Sequence, residues 1–373
     1  MSTPVGIVKC LGYDPILVQQ ALENLIQLLG GLERFILPGS RVLVKPNLLM
    51  SKGPECAITT HPEVVRAVIR MLKTINCKII VGDGPSVWGK YVENVNQVYE
   101  VTGIKQVCDT EGVTLVNFDK RRMRSKFPLT VWLDNCDYLI NLPKFKTHEF
   151  TLLTGGIKNL FGLVSGTYKT ELHKNYFEPQ EFAKILVDIY AEVKPTLTIV
   201  DGVLALEGDG PATAGKARWL NLLLGGTDCV AIDSVMAKIM GIKAGEVFTT
   251  KEAARRVLGE ERLENIQVLG ENLEQLNTRP FILPTTQAKA RKFPKVLKKI
   301  LKGLIRYYPY VLRAKCIRCG HCIEVCPGKC IKLRREKIVF NYRRCIACFC
   351  CQESCPEAAI KVKKSFFARL IGL

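Results

Sequence analysis

The C-terminal part of the chain holds the feature that most narrows what it can become. CIRCGHCIEVCP (Cys316 to Pro327) is answered, 29 residues later, by CIACFCCQESCP (Cys345 to Pro356). Each copy reads Cys-x-x-Cys-x-x-Cys-x-x-x-Cys-Pro. Three thiolates at i, i+3 and i+6 on a tight loop reach three irons of one cubane, and the fourth Cys, carried away before a Pro, reaches the other cluster. The spacing assigns Cys316, Cys319, Cys322 and Cys355 to one 4Fe-4S cluster. Cys345, Cys348, Cys351 and Cys326 then hold a second. Structural zinc asks for paired Cys-x-x-Cys rather than triplets, and a disulfide framework suits small secreted chains rather than one of 373 residues.

The repeat continues past these ligands, because CPGKCIKL (Cys326 to Leu333) lines up with CPEAAIKV (Cys355 to Val362), each a turn followed by an alternating apolar strand. Over residues 313–363 the sequence resembles the bacterial two-cluster ferredoxin. Ahead of it, a 47% hydrophobic, 24% charged chain is long enough to bury a substantial core. Three parts are expected: an α/β domain over residues 1–280, a basic amphipathic linker helix over 281–312, and the ferredoxin module with a basic tail over 313–373. The start, MSTPVGIVKC, lacks a signal-peptide pattern, and no apolar run is long enough to span a bilayer, so a cytoplasmic protein is expected. In that compartment the eight cysteines outside the two ligand sets stay reduced.

Charge is concentrated at the same end. Residues 281–373 contain 22 Lys plus Arg against four acids, a net +18, which leaves +1 for everything before them. A face so basic beside electron carriers fits docking to an acidic redox partner protein or contact with an anionic membrane surface. Nucleic acid is disfavoured, since no DNA- or RNA-binding module accompanies the charge. Within residues 287–306, Phe293, Val296, Leu297, Ile300, Leu301, Leu304 and Ile305 share one helical face and lysines cover the other. This is read as a connecting helix packed on one of the modules, with a membrane-surface helix as the alternative.

Along the first 280 residues strand and helix patterns alternate. Strands are expected at Val5 to Cys10, Arg41 to Leu49, Cys77 to Ser86, Thr114 to Phe118, from Asp137 into Lys144, Lys146 and His148, at Thr196 to Val203 and at Arg218 to Gly226. Helices are expected from Asp14-Pro15 through Leu17, Ala21, Leu25 and Leu28, from Pro62 to about Ile75, around Val92 to Val101, from the Gly155-Gly156 turn, over Phe182 to Tyr190 and from Cys229 to Met240. KRRMRSK (Lys120 to Lys126) reads as a solvated loop and LEGDGP (Leu206 to Pro211) as another. The pattern predicts an α/β fold, a mostly parallel sheet with flanking helices whose site lies at the carboxyl edge.

Polar residues gather at those predicted strand ends: Lys45, Asn47, His61, Asp83, Lys144, Lys146, His148, Lys158, Asn159, Asp201 and Asp233. Several ammonium groups beside a Gly-Gly helix start suit a carboxylate or phosphate. His148 or His173 is then placed to move a proton, with Asp201 or Asp233 to orient it. No Walker A or G-x-G-x-x-G sequence supports nucleotide or flavin binding.

VKPNLL, THP, GDGPS, NLPKFKTH, TGGIKNLFGLVSGTYKTELHK, DGVLALEGDGP and GGTDCVAIDS follow one another in that order. Together, over residues 4–270, they resemble the uncharacterised family numbered 362 among domains of unknown function, of which fusion to a two-cluster ferredoxin is a common form. The resemblance carries over onto Lys45, Pro46, Asn47, His61, Asp83, Pro143, Lys144, Lys146, His148, Gly155, Lys158, Asn159, Gly162, His173, Asp201, Glu207, Gly208, Asp228 and Asp233, and implies no reaction. Two functional readings stand side by side. One is an iron–sulfur oxidoreductase that reduces a small anionic substrate, with His148, Lys146 and Asp201 catalytic and Lys45, Asn47, His61, Asp83, Lys144, Lys158, Asn159, His173 and Asp233 binding it. The other is a non-catalytic ferredoxin-type carrier or adaptor that docks to a redox complex or a membrane surface.

Overall fold

The structure is a computed structural model that describes residues 2–85, 94–166, 168–176, 178–243, 245–276, 279–285 and 307–365. Its first twelve strands are β1 (Thr3–Lys9), β2 (Arg41–Pro46), β3 (Lys78–Asp83), β4 (Thr114–Asn117), β5 (Arg121–Arg124), β6 (Phe127–Thr130), β7 (Tyr138–Leu142), β8 (Lys144–His148), β9 (Leu152–Thr154), β10 (Leu197–Gly208), β11 (Gly215–Gly226) and β12 (Ile266–Gly270). All but β5 and β6 join one mixed, mostly parallel sheet in the order β12-β1-β11-β10-β7-β2-β3-β4, with β8 beside β10 and β9 beside β8. Pairing is parallel along β10-β7-β2-β3-β4 and between β1 and β12, and β11 runs antiparallel to both of its neighbours. Helices pack on the sheet, which buries β10 along its whole length, Asp201 and Glu207 included.

Local chemistry sets the helix starts. Asp14 caps α1 (Pro15–Leu28) by accepting from the Ile16 and Leu17 amides, and His61 caps α2 (Pro62–Lys73) by accepting from the Glu63 amide. In α1 the buried stripe is Val18, Ala21, Leu22, Leu25 and Ile26, so Leu17 and Leu28, expected on that stripe, face outward instead. Next come α3 (Val95–Val101), α4 (Ile104–Glu111), α5 (Gly156–Asn159), α6 (Tyr168–Asn175), α7 (Pro179–Val193), α8 (Cys229–Ile239) and α9 (Phe248–Arg255). Helix α6, which the sequence pattern did not reveal, is too polar along its length to announce a core face, yet it buries Lys169, Leu172 and His173.

Two expected loops are strands. KRRMRSK supplies β5, paired antiparallel with β6, and its arginines gain a partner in Asp134, which Arg122 and Arg124 both reach. The expected loop from Leu206 begins inside β10, which a bulge between Gly202 and Leu204 lets run on to Gly208 against β11.

The C-terminal module holds β13 (Tyr307–Val311), α10 (His321–Glu324), β14 (Ile331–Arg334), β15 (Lys337–Phe340), α11 (Cys350–Glu353) and β16 (Ile360–Lys364). Strand β13 pairs with β16, and β14 with β15. The sequence repeat is a backbone repeat as well. Arg318 and Gly320 have φ of 60° and 85°, and their counterparts Ala347 and Phe349 have 54° and 58°. The amphipathic pattern over 287–306 lies outside the described residues. Among those residues no helix is long and apolar enough to cross a membrane.

Candidate functional site

Strand β8 places Lys144, Lys146 and His148 at alternate positions on one face. Register then separates them. Lys144 lies opposite Asp201 of β10, and the bulge in that pairing moves Lys146 opposite Leu206. Lys144 Nζ is 2.7 Å from Asp201 and 2.8 Å from the Tyr13 hydroxyl, which itself donates to Asp201 Oδ1 at 2.7 Å. The His61 amide donates to the other Asp201 oxygen at 2.8 Å, and the His61 ring stacks on Tyr13 at 3.5 Å. Burial pulls His61 down to about 4, against the attraction of Asp201, so its imidazole is neutral near pH 7.

The other residues converge on a small, partly open cavity. Its walls include Asn47, Asp83, Lys146, His148, Lys158, Asn159 and His173 from the sequence-based expectation, together with Lys169, Thr154, Phe161 and Glu353. Lys45 stands behind the wall, 2.7 Å from Asp83 and 3.3 Å from Asn159 Oδ1. Asn47 and Asn141 complete this network through Asn159, at 2.9 and 2.8 Å. Gly162 packs directly on it, since a Cβ there would sit 2.2 Å from Asp83 Oδ1 and 2.7 Å from Lys45 Nζ. Gly162→Ala is therefore expected to destabilise the protein by about 1–3 kcal/mol. A chemical-denaturation midpoint checks this, and an unchanged midpoint would show that the ion pair yields freely.

The electrostatics divide the lysines into two kinds. Lys45 and Lys144 each have a buried carboxylate partner, and burial lowers both while Asp83 and Asp201 push back. Lys146 donates to the Ile58 carbonyl at 2.7 Å and Lys169 to the Gly84 carbonyl, and among the described residues no α/β-domain carboxylate lies in ion-pair contact with either. Burial lowers each to about 7, with Lys158 adding to the effect on Lys146 and Asp83 opposing it at Lys169. Lys158, also lowered by burial, lies over the Phe161 and Phe182 rings at 5.0 and 5.7 Å. His148 Nδ1 accepts from the Phe150 amide at 3.0 Å, which leaves the proton of the neutral ring on Nε2. Burial, then Lys158, Lys146 and His173, hold His148 well below its usual range. His173 is lowered by burial too, and stacks on Phe182 at 4.3 Å.

The carboxylate beside His148 comes from the C-terminal module. Glu353 Oε1 is 3.6 Å from His148 Nε2, and burial raises it to about 7 against the pull of Lys158 and Lys146. The expected orienting carboxylates are placed elsewhere. Asp201 is held by Lys144, Tyr13 and His61, and Asp233 accepts from the Gly156 and Ile157 amides at 2.6 and 3.2 Å, capping α5 from α8. Of the residues sequence reasoning missed, Lys169 had a signal, its spacing of four from His173 on one helix. Glu353 had none. Thr154 Oγ1, Asn47 Oδ1 and Glu353 Oε1, all on the cavity wall, are buried without a hydrogen-bond partner inside the protein. Of these, the Thr154 hydroxyl can donate, and beside surplus cations it suits a site that takes a polar anion.

The two modules meet at this wall. Thr213 Oγ1 donates to the Cys355 carbonyl at 2.8 Å, and Lys52 lies 3.6 Å from Glu357. A separate small cavity is lined by Cys316, Cys319, Cys322 and Cys355 together. Four thiols on one cavity, three from a single loop, form the donor set that a cubane takes. Cys326, Cys348 and Cys351 are buried, and Cys345 partly so, in the module's apolar core, which also takes in Cys316, Cys322, Cys355 and Cys330, whose sulfur is 3.3 Å from that of Cys326.

Comparison with known proteins agrees with this division. Residues 42–238 match the family described as a domain of unknown function, DUF362, and residues 308–356 match a 4Fe-4S dicluster domain. The C-terminal module is accordingly an iron–sulfur electron-transfer unit. The chain is also similar to a protein of Synechocystis sp. named thylakoid-associated protein sll1697, at 32% identity over 266 residues, or 69% of this chain and 80% of that one.

Proposed function

The chain belongs to the DUF362 family and carries a 4Fe-4S dicluster domain, and from that premise we propose that it is an oxidoreductase reducing a small anion bound in the lysine-lined cavity. The observation that carries this reading is Glu353, which α11 of the dicluster module inserts beside His148, so that electron-transfer unit and anion site share a wall. Held by Cys316, Cys319, Cys322 and Cys355 and by Cys326, Cys345, Cys348 and Cys351, two 4Fe-4S clusters supply electrons singly.

The other parts of the work fall to the protein. Lys146, Lys158 and Lys169 hold the anion, and Thr154 orients it through a hydroxyl that has no internal partner. Phe161 and Phe182 exclude water from the Lys158 side. Before binding, His148 presents Nε2–H to the cavity. A bound anion accepts a hydrogen bond from that Nε2–H, while the Phe150 amide keeps Nδ1 an acceptor and the ring in this tautomer. Lys45, Lys144 and Asp201 stand behind the walls in buried ion pairs. A reducing, cytoplasmic compartment suits the cysteines outside the ligand sets.

The test begins with anaerobic protein reduced by dithionite and mixed with a panel of small carboxylates and phosphates. Reoxidation by one class identifies the substrate class, whereas reoxidation by other redox proteins alone moves the assignment to a non-catalytic carrier. Binding has its own pH signature. Lys146 and Lys169 are lowered to about 7, and an anion prefers their charged forms, which prevail below that pH. Affinity for sulfate or oxalate, whose charge is constant in this range, is therefore expected to fall as pH rises from 7 to 9, by up to about tenfold per unit per lysine. Calorimetry showing a flat or rising affinity would sink the anion site.

A further inference from the structure

The two cysteine loops are copies in sequence and backbone, but their surroundings differ. Across the repeat, Arg318, Cys319 and His321 correspond to Ala347, Cys348 and Cys350. In the first loop Ile317 is 62% exposed, and Arg318 and Cys319 are exposed with it. In the second, Cys348, Phe349, Cys350 and Cys351 are all buried. Cys350 lies within electrostatic reach of Lys158, and the helix that follows carries Glu353 to His148. The α/β domain thus takes up the second loop, and the first is left to solvent.

Exposed cations flank both loops, Arg343 and Arg344 standing just ahead of the second, but they continue into the loop itself only in the first. Arg313, Lys315 and Arg318 are exposed around the first loop, and Lys332, Arg334 and Lys337 are exposed on the β14–β15 hairpin beside it. Arg318 reaches Glu336 at the hairpin tip at 2.6 Å, and Ile338 of β15 lines the same cavity as Cys316 and Cys319. Loop and hairpin therefore form one continuous cationic surface, with Ile317 as an apolar contact among the charges. The buried copy has no such cation in its loop, where Ala347 replaces the arginine.

We propose that this surface docks an acidic electron-donor protein at the first cysteine loop, while the second loop is committed to the anion cavity. A positive surface around an exposed ligand loop concentrates an acidic partner and orients it with its redox centre close to that loop. In the step it serves, one electron leaves the donor protein and is accepted by the iron–sulfur centre of this chain, with no bond made or broken and no proton moved. The proposal stands on the iron–sulfur assignment and is independent of which anion the cavity takes.

The test measures binding of an acidic one-cluster ferredoxin, used as the probe donor, to the full-length, anaerobically loaded protein by calorimetry at two salt concentrations. Lys315→Glu/Arg318→Glu is expected to weaken binding at low salt by about tenfold or more and to flatten its salt dependence. Arg313→Glu/Lys315→Glu, which leaves the Arg318–Glu336 contact in place, should behave alike, and iron content confirms that each variant is loaded. Arg122→Glu, on the distant β5 hairpin, should change nothing. No binding, equal weakening by Arg122→Glu, or an unchanged affinity in both double variants overturns the proposal. Binding to phosphatidylglycerol vesicles in place of the donor also overturns it, and assigns the surface to a membrane.

Discussion

Cys355→Ala is expected to remove about four of the roughly eight irons per chain, and to remove the same ones as Cys322→Ala, although Cys355 stands in the other motif. Cys351→Ala should empty the second set instead. Iron and sulfide counts measure the loss, and the electron paramagnetic resonance of dithionite-reduced protein reads which set survives. The cross-over follows from the fold. Cys316, Cys319, Cys322 and Cys355 line one cavity, and Cys351 is not among its lining residues. If Cys355→Ala reproduced the spectrum of Cys351→Ala, the ligand sets would have to be redrawn as one motif per cluster.

The second large effect is a contrast between two lysines two residues apart. Lys144→Met leaves the Asp201 carboxylate buried without its cation and is expected to cost about 3–5 kcal/mol of stability. Lys146→Met removes a buried cation that has no carboxylate partner in its own domain among the described residues. Burial lowers Lys146 to about 7, below its unfolded value near 10.4, so this lysine opposes folding at neutral pH, and stability gains as pH rises between those values. Its loss should therefore leave stability unchanged or slightly higher, while anion affinity falls by about 2–5 kcal/mol, some thirtyfold to several thousandfold. Denaturation midpoints and oxalate binding, measured on both variants, separate the effects. Equal destabilisation by the two would mean that Lys146 is a structural cation like Lys144, and would remove it from the site.

Much of this arrangement was legible from local pattern. Strand and helix periods located the parallel core, and the capping residue Asp14 stands where its type belongs. Of the polar residues gathered at strand ends, Asn47, Asp83, Lys146, His148, Lys158, Asn159 and His173 line one cavity. Local pattern failed where partners decide conformation. KRRMRSK extends because β6 and Asp134 pair with it, and β10 passes through its glycine-rich end because β11 accompanies it. Helix α6 gave no amphipathic signal because it buries a lysine and a histidine toward the cavity rather than an apolar stripe.

What the sequence by itself determined is the iron–sulfur module, because a cluster collects three of its ligands from one short loop and so writes its requirement into residue spacing. It determined equally that cations would crowd one edge of the sheet. Only the tertiary structure decided which cations are already neutralised. Lys45, Lys144 and Lys146 are alike in sequence, yet Asp83 and Asp201 take the first two and leave the third to the cavity. Only the structure could also pair His148 with Glu353 rather than Asp201, since residues so far apart in the chain meet by the docking of two modules. Spacing records interactions that close within a few residues. Charge compensation in a buried site depends on distances across the fold, which no local period encodes.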